Sequence, residues 1–186
     1  MNTFLRGEVA GIICVLALIG CLAAQYLLGG ISESVTGAIV VLIFYFIICV
    51  AYVLLLFAVQ EIVKSVGDAT FVRRMRDFLA ASVIGFFFLA PLVSPILFPE
   101  LLIQVLALVS IVVVAVFGIV SIRIAPFFGK LEGERAQSGK KTALWLKISG
   151  WLMATVVLSF VGGFASLIAD FYMWRLVRQE RLKTQV

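Results

Sequence analysis

Apolar residues in this chain fall in long blocks with few polar interruptions. Blocks at 9–29, 37–59, 78–98 and 101–122 each read as one helix, the third and fourth separated only by Pro99 and Glu100. A fifth block runs over 143–174. About 20 residues of helix cross the roughly 30 Å core of a bilayer, so each block is long enough and the fifth exceeds one crossing. The blocks lack the polar and apolar alternation of a membrane barrel, and only helices or closed barrels satisfy a backbone in lipid. The expected fold is all-α: a polytopic integral membrane protein, one helical domain over 1–186, with five or six transmembrane helices. The longest polar stretch, GKLEGERAQSGKKT at 129–142, is a connection with no core of its own.

The fifth block admits two arrangements. A turn at Gly162 and Gly163 would divide it into helices at 143–161 and 164–178, the second spanning about 22 Å and relying on snorkelling arginines and local thinning. A continuous helix would instead align Thr155, Ser159, Gly162, Ser166 and Ala169 on one face. From the residues alone both stay open.

Composition agrees with the blocks. Hydrophobic residues make up 63% of the 186 and charged residues 13%, with a mean hydropathy of +1.19, whereas soluble domains are about half apolar and a quarter charged. Charge then suggests an orientation, because cytoplasmic connections are enriched in Lys and Arg. Arg6 precedes the first block, and the connections at 60–77 and 123–142 are basic. The 29–37 connection and the Pro99-Glu100 turn contain no Lys or Arg. The expectation is an inner or plasma membrane protein with a cytoplasmic N-terminus. The hairpin would also place the C-terminal basic residues inside; the single helix would place them outside. The net charge of +5 reads as topology and attraction to anionic headgroups, not as nucleic-acid binding. Cys21 ends a Leu-x-Gly-Cys pattern of lipoprotein signals, but apolar sequence continues past it and the first block is expected to remain as a helix.

The stretch QEIVKSVGDATFVRRMRDF at 60–78 contains a helix-to-helix joint. The second helix can continue at the lipid boundary through Val66. Gly67 then supplies a left-handed stop, and Asp68 caps a new helix beginning ATFVRRM. With these residues, and with FFGKLEGERAQSGKKTALWLKISGWL followed by FVGGFASLIADFYMW, the chain resembles a prokaryotic domain-of-unknown-function family of small multi-pass membrane proteins. That family's joint is Gly-Asp or Asn-Asp followed by Ile-Phe, matched here at Gly67, Asp68 and Phe71, with Thr70 in place of Ile. The resemblance implies a membrane location and a closing two-helix unit, and so favours the hairpin. It implies no activity.

Candidate chemistry is sparse. With no histidine in the chain, imidazole ligation and imidazole acid-base catalysis are excluded. Cys14, Cys21 and Cys49 read as apolar fillers, and no phosphate loop, zincin or nucleophile-elbow motif occurs. No enzymatic activity, metal or cofactor is expected. Polar or kinking residues inside apolar blocks remain, since lipid makes them costly: Asp170, Gln25, Gln104, and Pro91 with Pro95, expected to kink the third helix. Small-residue faces at Gly150 with Ala154 and at Gly162, Gly163 with Ser166 allow close helix approach. These features support two expectations. The leading one is a non-catalytic accessory or assembly subunit, or a self-associating protein, partnered by other membrane subunits or itself. The alternative is a small channel or transporter using Asp170 and the kinked third helix.

Overall fold

The computed structural model describes residues 3–27, 35–155 and 158–184. Among them the chain is helical, with no strand: α1 (Thr3–Leu27), α2 (Val35–Val66), α3 (Ala69–Val93), α4 (Glu100–Phe128), α5 (Ala136–Ala154) and α6 (Ser159–Lys183), with 3-10 turns at Pro95–Leu97 and Gly133–Arg135. Over Thr3–Ala24 α1 is long and apolar enough to cross a membrane, as are α2, α3 and α4; α5 and α6 are not among them. Side chains on the outer faces are apolar and open, as at Val15 and Leu16 of α1 and Leu101 and Leu108 of α4, where 58–73% of the surface is exposed. So broad an apolar surface suits lipid and not water.

The helices start before the apolar blocks that announced them, and α2, α4 and α6 also run past their far ends, whereas α3 and α5 stop short. The basic 60–77 connection is helical apart from Gly67 and Asp68, as the joint reading expects: α2 continues through Val66 and α3 begins at Ala69. A polar sequence does not end a helix when its side chains can face outward; a cap or a left-handed residue does. Gly67 has φ 77°, its N–H donates to the Lys64 carbonyl at 3.1 Å, and one carboxylate oxygen of Asp68 accepts from the N–H groups of Thr70 at 2.8 Å and Phe71 at 3.1 Å. A cap of this kind is worth about 1 kcal/mol. It also seats Phe71, which is buried against the rings of Phe127 and Phe128 at the end of α4. The 123–142 connection shortens likewise, with α4 running to Phe128 and α5 starting at Ala136.

Two expectations about breaks are corrected. The third helix ends at Val93, so only Pro91 lies within it, in its last turn; Pro95 opens the 3-10 turn beyond. The break falls at Ser94, whose hydroxyl donates to the Ala38 carbonyl at 2.9 Å and ties this end of α3 to the start of α2. The fifth block is a hairpin, but Gly162 and Gly163 are not its turn. α5 stops at Ala154 and α6 starts at Ser159, so both glycines lie inside α6. The continuous stripe from Thr155 to Ala169 is therefore interrupted, although 156–157 lie outside the described residues.

Successive helices run antiparallel, as the pairing of Gly7 with Ala58 and Gly20 with Phe44 shows for α1 and α2. α6 returns beside α1. Arg181 Nε lies 2.5 Å from a carboxylate oxygen of Glu8, and the Trp174 indole N–H donates to the Glu8 carbonyl at 3.1 Å. Arg135 donates to Glu180 through Nε and Nη2 and to Ser65 Oγ at 3.1 Å. These contacts bring the start of α1, the end of α2 and the end of α6 to one charged end of the bundle. The start of α1 and the end of α6 therefore lie together.

Candidate functional site

Asp170 occupies the middle of α6, about 16 Å of helix from Ser159 and about 20 Å from Lys183. It faces α2, where the Tyr52 hydroxyl donates to its Oδ1 at 3.0 Å. Tyr52 is buried, near the middle of its own 32-residue helix. Its ring meets Phe86 of α3 edge-on with centroids 5.4 Å apart. Among the described residues, no Lys or Arg forms an ion pair with Asp170; Arg178 and Arg181 of α6 pair with Glu8, and Lys183 with Glu180.

The Asp170 and Tyr52 pair forms part of the wall of two cavities. The larger, about 450 Å³, lies between α1, α2 and α6; Leu16 and Phe171 form its outer lips and Trp174 lies towards the charged end. The smaller, about 270 Å³, is enclosed by α2, α3, α4 and the hairpin, with Ser82, Phe86 and Phe117 in its wall. Tyr52, Asp170, Ile48 and Leu167 belong to both. The Ser82 hydroxyl donates to the Phe78 carbonyl at 2.8 Å. With Ser166 these are the few polar groups in walls that are otherwise largely apolar, and apolar cavities stay dry and accept apolar molecules.

The other sequence candidates divide sharply. Gly150 and Ala154 pack within the chain: a Cβ built on Gly118 of α4 would lie 2.6 Å from the Gly150 carbonyl oxygen and 2.7 Å from the Ala154 nitrogen. Gly162 is similarly engaged. Its carbonyl accepts from Ser149 Oγ at 2.9 Å, and a Cβ there would lie 3.0 Å from the Met153 nitrogen. Gly163 instead faces open space, and with Ser166 it lines the smaller cavity. Gln104 lines neither cavity; it is exposed on α4, donating to Glu100 at 3.3 Å. Pro91 and Pro95 contribute no side chain to either cavity wall. The side chain of Gln25 lies outside the described residues.

Tyr52 and Gly118 had not been singled out from sequence. One of two tyrosines in an apolar block, the other being Tyr45, was the available signal for Tyr52, and an isolated glycine in VVVAVFGIVS for Gly118. No protein-family profile, curated protein or solved structure matches this chain.

Proposed function

We propose that this chain is a non-enzymatic integral membrane carrier or receptor that takes an apolar small molecule from the bilayer into the cavities flanking Asp170. The observation that carries this reading is one mid-helix carboxyl and one tyrosine hydroxyl shared by two largely apolar cavities. Polar groups placed sparingly in an apolar pocket orient a ligand, and the two volumes fall about within the range of small-molecule sites. The dryness of the walls argues for a lipophilic ligand over a hydrated ion, which narrows the channel or transporter alternative. The accessory-subunit reading drew on small-residue faces, and those at Gly150, Ala154 and Gly162 are occupied within the chain.

In this proposal the α5 and α6 hairpin enters the bilayer beside the four apolar helices. The charged end faces the cytoplasm and anionic headgroups, in an inner or plasma membrane, with both ends of the chain inside. A reporter fused after Val186 should then give a cytoplasmic signal. The binding reading is tested with an apolar aryl diazirine on purified protein in lipid nanodiscs. Labelling of 165–174 should saturate and be competed by the unreactive parent compound. Labelling that only rises in proportion to probe, equally across all outward faces, would overturn it.

A further inference from the structure

We infer, on the reading that these cavities bind an apolar small molecule, that the ligand is a lipophilic organic cation seated with its charge at Asp170 and its apolar body in the larger cavity. The first ground is charge complementarity. Asp170 is the one acid in either wall, and neither wall contains a Lys or Arg. Its hydrogen-bond partner is Tyr52, a single neutral donor. A carboxylate in apolar surroundings is expensive without a countercharge, and an incoming cation offsets that cost. An anionic ligand would be repelled, and a neutral one would leave the carboxylate without a countercharge.

The second ground is the aromatic wall. Tyr52, Phe171 and Trp174 line the larger cavity, and Tyr52, Phe86 and Phe117 the smaller. Aromatic faces attract organic cations, most strongly where water is excluded. A small hydrated metal ion would have to shed its water into walls with almost no oxygen ligands, whereas a cation whose charge is shielded by carbon holds little water to lose. The third ground is access. The lips of the larger cavity include Ile12, Val15, Leu16 and Phe171, whose surfaces are 46–61% exposed on the outward face of α1 and α6. A ligand dissolved in the bilayer reaches Asp170 sideways between these helices without crossing the charged end.

The test is equilibrium binding of radiolabelled tetraphenylphosphonium to the full chain in nanodiscs of zwitterionic lipid, with triphenylphosphine oxide as an uncharged counterpart. The expected result is saturable tetraphenylphosphonium binding that Asp170→Glu retains and Asp170→Asn weakens by about tenfold or more, as for loss of a charge-assisted contact. Triphenylphosphine oxide should bind more weakly and be indifferent to Asp170→Asn. Should the Asn variant fail to fold, the unaltered chain still decides: tetraphenylphosphonium should slow modification of Asp170 by a hydrophobic carbodiimide. Equal binding by parent and Asp170→Asn proteins, a preference for the neutral compound, or no protection of Asp170 would overturn the inference. Saturable diazirine labelling without tetraphenylphosphonium binding would defeat this inference alone and leave the cavity-binding reading standing.

Discussion

Gly118→Ala should lower the thermal stability of the protein in detergent, whereas Gly163→Ala should leave it unchanged or slightly higher. Both glycines lie inside helices, and by intrinsic propensity alone each change to alanine should help by about 1 kcal/mol. The surroundings reverse the sign at one of them. A Cβ on Gly118 would meet the Gly150 oxygen and the Ala154 nitrogen at 2.6 and 2.7 Å, both backbone atoms of the facing helix. Neither can turn aside as a side-chain tip can, so α4 and α5 must move apart. Overpacking in a close-packed core costs about 1–3 kcal/mol, enough to outweigh the propensity gain. A Cβ on Gly163 meets nothing within 4 Å. Equal melting of the two variants would contradict the close α4 and α5 crossing.

Arg135→Ala should be a second large loss. Its guanidinium bridges Glu180 and Ser65, and the Glu180 side chain is only 8% exposed. Removing one partner of a buried pair leaves an uncompensated charge and costs about 3–5 kcal/mol. Lys183, 3.5 Å from Glu180, reduces the damage, so the lower part of that range is expected. The double change Arg135→Met with Glu180→Leu should recover much of the loss, since neither charge is then stranded. Melting curves of the single and double variants check both outcomes. If the single variant melts like the parent, the ion pair does not hold α6 to the start of α5.

What the sequence revealed tracks how local the determining physics is. The Gly67 and Asp68 joint was legible because a left-handed stop and an N-cap act within three residues. The residues of the fifth block left a hairpin and a continuous helix open, and the turn expected for the hairpin was placed at Gly162 and Gly163, inside α6. Those glycines serve a packed face and a cavity wall, and glycine alone does not say which. The small-residue face at Gly150 and Ala154 could be seen, yet its partner Gly118 lies 32 residues away and no pattern within either segment pairs them. The same holds for Asp170. Its cost in lipid marked it as a candidate, while its hydrogen-bond partner lies 118 residues earlier in the chain. Every helix starts before its apolar block, and α3 and α5 stop short of theirs, because hydropathy reports the lipid boundary, whereas hydrogen bonding and caps decide where a helix begins and stops.

The central claim is that the Asp170 carboxyl lies at mid-depth in the bundle and is reached from the apolar phase. Carbodiimide modification of protein in lipid nanodiscs, read residue by residue by mass spectrometry, tests it directly. A hydrophobic carbodiimide, dicyclohexylcarbodiimide, should modify Asp170, while a water-soluble cationic carbodiimide should modify exposed acids such as Glu61 and Glu134 and spare it. Modification of Asp170 by the water-soluble reagent but not by the hydrophobic one would place this carboxyl at the membrane surface and contradict the account.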